Sequence, residues 1–226
     1  MKRKLCVMVL LILFMANTVY VFGDGSIDNL RYVSDAGQTV AAHLRRLASP
    51  KGWRVESRAE EYAAIADIPA QTDKGAIETP AVIVVSVGGR DALLHIDLVA
   101  DPSKHVVSPR AFLEYHRIKE EFRAAYGRAL DHVAAFKQPT AVCTVFNPDS
   151  PDAGFKKMVS AGLSFFNDVI TEEALRRDFS IIDLRLAVAN DEDYANPIRP
   201  SDKGGQRIAE EIARMVEKIG GFDLAP

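Results

Sequence analysis

Cysteine, tryptophan and histidine are scarce in this chain: its 226 residues include two Cys, one Trp and five His. Cys6 lies in an N-terminal apolar run and Cys143 in a predicted buried strand, so a chain processed behind that run can form no internal disulfide. A disulfide-stapled scaffold is excluded, and a lone buried Cys reads as a small core hydrophobe. No His follows His132, and no His or Cys pair stands at a metal-ligand spacing. The sequence therefore points to no metal, and nothing in it calls for a cofactor. An excess of one charge is missing too: 28 Lys+Arg against 31 Asp+Glu leave a net charge of −3, spread along the chain. That excludes the concentrated basic face of a nucleic-acid-binding protein. Internal repeats and low-complexity tracts are absent, and the oligomeric state is not legible.

One apolar run does stand out. Lys2-Arg3-Lys4 precede an unbroken stretch from Leu5 to Ala16, the charged and hydrophobic regions of a signal peptide. The run is too short to span a bilayer alone. Extending it to Phe22 would spend the first core strand on the membrane. We expect residues 1–16 to be a signal peptide or N-terminal anchor, and residues 17–226 to be one exported domain, periplasmic or extracellular. Membrane contact is expected only through an uncleaved N-terminal segment.

The rest is a mixture of short apolar runs and amphipathic stretches, with 48% hydrophobic residues, enough for a sizeable core. Thr18–Phe22, Trp53–Ser57, Ala81–Val87, Thr140–Val145 and Ser180–Leu184 read as strands. Ala81–Val87 is continuous and β-branched, as a central parallel strand covered on both faces should be. Helical spacing is predicted over Thr39–Leu47, from Ser108-Pro109 to about Phe136, over Asp152–Arg177 and over Gly204–Ile219. Residues 58–79 read as weakly helical and then as loop, and the stretch through Asn196-Pro197-Ile198-Arg199-Pro200 as an irregular acidic loop. Strands alternating with helices argue for a doubly wound parallel sheet.

The first strand stops abruptly at Gly23-Asp24-Gly25-Ser26, a turn of small and acidic residues at the sheet's carboxyl edge. Open α/β sheets bind their ligands there. With Phe22–Asn29, the blocks Val85–Leu93, Ala141–Val145, Phe166–Ile170 and Asp193–Ser201 follow in order. Together they resemble the SGNH/GDSL hydrolase family across nearly the whole chain after Ala16. The resemblance implies a five-stranded, flavodoxin-like, three-layer α/β/α sandwich and an ester-hydrolase class. It also implies a nucleophilic Ser after the first strand's Gly-Asp, oxyanion donors at that Ser, a Gly and an Asn, and a His in a late Asp-x-x-His.

This chain departs from the pattern at each of those positions. Gly25 stands where the Ser is expected, with Ser26 one place late. No Gly occurs between Gly52 and Gly75, which leaves a bulky residue such as Tyr62 at the second donor position. Gly88-Gly89-Arg90-Asp91 puts Arg90 in place of the Asn amide, and Asn196-Pro197-Ile198-Arg199 puts Arg199 in place of the His. The expected reading is a degenerate hydrolase, a pseudo-hydrolase that binds an acylated or anionic small molecule, an ester or a glycan. The alternative is an atypical esterase with Ser26 as nucleophile. The expected pocket is Asp24, Gly25, Ser26, Asp28, Asn29, Gly89, Arg90, Asp91, Asn196 and Arg199.

Other residues carry weaker signals. His95, the one His close in sequence to a pocket strand, is a candidate substitute base, against the commoner role of a loop His bonded to a carbonyl. His43, His116 and His132 fall on predicted helices, and His105 in a loop. Asp24, Asp28, Asp91 and Asp193 are candidates to cluster at the sheet edge. If Arg90 and Arg199 both point into the site, they would face Asp24 and Asp91, either locking it by ion pairs or making an anion pocket.

Overall fold

A computed structural model of the protein describes residues 17–95 and 109–220. Residues 1–16, with Cys6, residues 96–108, with His105 and Ser108, and residues 221–226 lie outside them. Five parallel strands form the sheet: β1 (Thr18–Gly23), β2 (Arg54–Ser57), β3 (Ala81–Ser86), β4 (Thr140–Cys143) and β5 (Ser180–Ile182). Their order is β2-β1-β3-β4-β5. Thr18 lies opposite Ala81, and Gly23 opposite Ser86. This is the flavodoxin-like doubly wound order, whose direction of winding reverses between β1 and β3.

Alternation along the strands divides the core in two. Val19, Val21, Val82 and Val84 face one side and pack with helices α1 (Val40–Ala48) and α7 (Asp202–Ile219). Tyr20, Phe22, Ile83 and Val85 face the other, against α4 (Pro109–Ala134) and α5 (Ala153–Leu175). In α4, Phe122, Tyr126, Ala129 and Val133 form the buried stripe that their spacing predicts. Every residue of β1 and β3 is buried, as expected of central parallel strands. The result is the three-layer α/β/α sandwich.

Side-chain caps set several helix starts. Thr39 Oγ1 accepts from Ala42 N at 3.1 Å, Asp152 Oδ1 from Gly154 N at 2.8 Å, and Ser201 Oγ from Gly204 N at 3.2 Å. Ser201 starts α7 two residues before the predicted boundary.

Several further stretches are more regular than the sequence reading. Residues 58–79 hold a 3-10 turn, Ile65–Asp67, running into the short helix α2 (Ile68–Thr72). Gly89–Leu93 and Leu184–Ala187 form the short helices α3 and α6. The expected irregular loop is an antiparallel hairpin of β6 (Tyr194–Asn196) and β7 (Arg199–Pro200). Asn196 Oδ1 accepts from Ile198 N at 3.1 Å and closes its turn, a side-chain bond that apolar periodicity does not reveal.

Candidate active site

The turn after β1 is pinned to β3 by backbone contact. A Cβ on Gly23 would stand 2.1 Å from the Ser86 carbonyl oxygen, so only glycine fits there. Asp24 N donates to that carbonyl at 2.9 Å. The buried amide of Gln71 clamps Gly23 from α2, accepting from its N–H and donating to its carbonyl, both at 2.8 Å. The Asp24 carbonyl then accepts from Ile27 N and Asp28 N, each at 3.0 Å, which closes the turn.

Asp24 is 8% exposed, and its Oδ1 accepts from Ser26 N at 2.9 Å. Burial pushes its carboxyl above the usual range, against the opposing pull of the Ser26 hydrogen bonds and the charge of Arg199. The Ser26 hydroxyl shares a 2.7 Å hydrogen bond with the Ser86 hydroxyl at the end of β3. Ser86 is no base, so this bond orients Ser26 without activating it.

Gly25 lies beneath the side chain of Arg199 from β7. A Cβ on Gly25 would be 2.9 Å from Arg199 Cζ, 2.9 Å from its Nε and 2.9 Å from the Glu61 carbonyl oxygen. The guanidinium also stands 5.6 Å from the centre of the Tyr32 ring. Tyr32 donates to Glu61 Oε1 at 2.6 Å, and Arg31 Nε pairs with Glu61 Oε2 at 3.1 Å. The Tyr32 hydrogen bond holds the Glu61 carboxyl below its usual range and raises the Tyr32 phenol.

Beside this turn opens a cavity of about 640 Å³, within the range of about 300–1,000 Å³ common for small-molecule sites. Its sheet end carries Asp24, Ser26, Ser86, Glu61 and Arg199. The remaining wall is largely apolar, built by Val145 and Phe146 after β4 and by Phe155, Val159, Leu163 and Phe166 on α5. Tyr62 and Arg90 stand at the exposed side, where Arg90 donates to the Tyr62 carbonyl. His95 also lines the cavity and stacks on Phe166, ring centres 6.2 Å apart.

The geometry brings together Asp24, Ser26, Gly89, Arg90 and Arg199 from the expected pocket, with Gly25 directly under Arg199. The other four do not line the cavity, because the backbone holds them elsewhere. Asp28 Oδ2 accepts from Glu61 N at 3.0 Å, and Asp91 Oδ2 from Ile65 N at 3.1 Å. Fully buried Asn29 accepts from Val40 N at 3.0 Å, and Asn196 closes the hairpin turn. Asp193 is no part of the site: it accepts from Ala189 N and Asn190 N and pairs with Arg207.

The two arginines divide the carboxylates between them: the charge of Arg199 acts on Asp24 and that of Arg90 on Asp91. Arg199 covers the turn, whereas exposed Arg90 reaches a backbone carbonyl at the rim. The other described histidines lie outside the cavity: His43 bonds Arg46 at 2.6 Å, His132 bonds Thr72 at 2.9 Å, and His116 is exposed. Cys143 is buried and free, its thiol pushed up to about 12 by burial. Among the described residues no cluster of three His, Cys, Asp or Glu side chains is placed to hold a metal ion.

Sequence reasoning missed Ser86, Glu61, Tyr32 and the α5 wall. Ser86 carried a signal, since a polar residue ending an apolar strand marks the carboxyl edge. The α5 wall carried none that separates it from ordinary core packing.

Comparison with solved structures finds the same fold in lipolytic hydrolases. A member of the lipolytic G-D-S-L family from Veillonella parvula superposes with a TM-score of 0.63 at 15% identity, covering 90% of this chain and 100% of that one. Phospholipase A1 from Streptomyces albidoflavus gives 0.64 at 13% identity, covering 88% and 98%. The lipase/acylhydrolase from Enterococcus faecalis gives 0.64 at 16% identity, covering 89% and 96%. No protein-family model matches the chain, and no curated protein matches it by sequence. The fold is that of the SGNH/GDSL hydrolases.

Proposed function

We propose that this chain is a divergent SGNH/GDSL hydrolase that has lost ester hydrolysis and uses the inherited cavity to bind an acylated or anionic small molecule or glycan. One observation carries the reading: the Arg199 guanidinium fills the space above Gly25 that a nucleophile's side chain would occupy. Serine hydrolysis needs a hydroxyl within hydrogen-bond reach of a base. Ser26 instead shares its hydrogen bond with Ser86, and the residue in place of the family's His is an arginine, whose guanidinium is a donor only and accepts no hydrogen bond. The cavity remains large enough for a ligand, which supports binding over a purely structural role.

The contact between positions 199 and 25 also makes the loss reversible in principle. The test compares turnover of short-chain aryl esters by the parent, by Ser26→Ala and by a variant carrying Gly25→Ser, Arg90→Asn, Asn196→Asp and Arg199→His. A silent parent beside an active restored variant supports the proposal. Turnover by the parent that disappears in Ser26→Ala replaces it with the esterase reading. The charged and apolar pattern of residues 1–16 supports export; fusing those residues to a reporter and following its secretion tests that part separately.

A further inference from the structure

Arg199 is a half-buried cation that lies in the field of Asp24 and Glu61 without pairing directly with either. Among the described residues it makes no ion pair within 4.0 Å; its Nη1 donates to the adjacent Ile198 carbonyl at 3.3 Å, and the guanidinium also interacts with Tyr32. Its Nε is shielded from solvent and has no partner. The two carboxylates nearest in the site are already engaged. Glu61 takes Tyr32 and Arg31, and Asp24 takes Ser26 N. A guanidinium held beside an apolar cavity with no direct ion pair gains from an acceptor that completes its hydrogen bonds.

We propose that the cavity takes a single-chain aliphatic carboxylate, with its carboxylate on the Arg199 guanidinium and its chain along the apolar wall of β4's exit and α5. This rests on the non-hydrolytic reading above and names the ligand class of that site. The planar fork of Arg matches a carboxylate in two parallel hydrogen bonds. The same neighbours argue against a dianion: Asp24 and Glu61 flank the head position, and a phosphate would meet both. Beyond the polar end, the wall at Val145, Phe155, Val159, Leu163 and Phe166 offers an alkyl chain apolar contact and no charge to satisfy.

The test is calorimetric titration of the full chain with decanoate, 1-decanol and decyl phosphate, alongside turnover of p-nitrophenyl decanoate by the same preparations. Decanoate is expected to bind about tenfold or more tightly than decanol, the value of charge-assisted hydrogen bonds that an alcohol lacks. Arg199→Gln should bring that ratio close to one while leaving decanol unchanged. Arg199→Lys, which keeps the charge without the fork, should fall between. Leu163→Trp, which fills the chain's path, should weaken acid and alcohol alike.

Equal affinity for acid and alcohol in the parent overturns the head-group assignment, as does a ratio that survives Arg199→Gln. Preference for decyl phosphate, or no binding of any probe, overturns the proposal too. If Arg199→Gln does not fold, the parent's ratio and the Leu163→Trp variant still decide. Ser26-dependent ester turnover sinks the non-hydrolytic reading by itself. An acid-to-alcohol ratio of one without turnover sinks only the carboxylate.

Discussion

Arg199 and Gly25 are matched across the turn: the guanidinium carbon and Nε both lie 2.9 Å from where a Cβ on Gly25 would stand. Any larger side chain at position 25 must displace Arg199 or the Glu61 carbonyl, which lies equally close. Gly25→Ala should therefore cost about 1–3 kcal/mol, the range for overfilling a packed site. Arg199→Ala should recover part of that loss, since the backbone contact at Glu61 remains. Urea unfolding of the parent, both single variants and the double variant checks the coupling.

Asp24 should make the domain less stable as pH rises. Its folded pKa is raised by burial, so the native state holds this proton more tightly than the unfolded chain. The contribution is fully present below the unfolded pKa and is lost as pH rises through the folded one. Asp24→Asn keeps an oxygen for Ser26 N and removes the buried charge. Its melting temperature should exceed the parent's at pH 7, with the gap closing toward about pH 4, near the unfolded carboxyl's pKa.

Glu61 should behave in the opposite sense. The Tyr32 hydroxyl lowers its folded pKa, so its contribution is present above the unfolded pKa and is lost as pH falls through the folded one. Tyr32→Phe should destabilise the domain at pH 7 by about 1.5–3 kcal/mol, as expected for one hydrogen bond to a charged group. The difference should shrink in acid, and thermal melts across that pH range measure it.

Gln71 should matter well beyond its size. Its amide satisfies Gly23 N–H, and Gln71→Leu leaves that buried donor without an acceptor. The expected loss is about 1–3 kcal/mol. Exchange of the Gly23 amide proton, followed by hydrogen exchange, should rise by more than global destabilisation alone would give.

The fold was legible because β1, β3, β4 and β5 are short runs rich in apolar residues, and β2 alternates as an edge strand does. Ala81–Ser86 and Thr18–Gly23 are buried on both faces, and their β-branched, unbroken sequences say so. The altered turn was legible as well, since Gly25 and Arg199 could be read against ordered motifs. Their contact could not be read, because it depends on the hairpin that folds Arg199 back over the turn. Nor could the fates of Asp28, Asn29 and Asp91. A short polar side chain near a site reads the same in sequence whether it faces a cavity or caps a backbone N–H. The place of Arg90 at the rim was not legible for a related reason: a long, flexible side chain at a helix start can reach the rim as easily as the floor.

The central claim is that the turn keeps the shape of a catalytic elbow without its chemistry. Turnover of p-nitrophenyl butyrate by the purified full chain and by Ser26→Ala, assayed together, tests it most directly. The account predicts no hydrolysis above the uncatalysed rate in either protein. Hydrolysis by the parent that is lost in Ser26→Ala would contradict it.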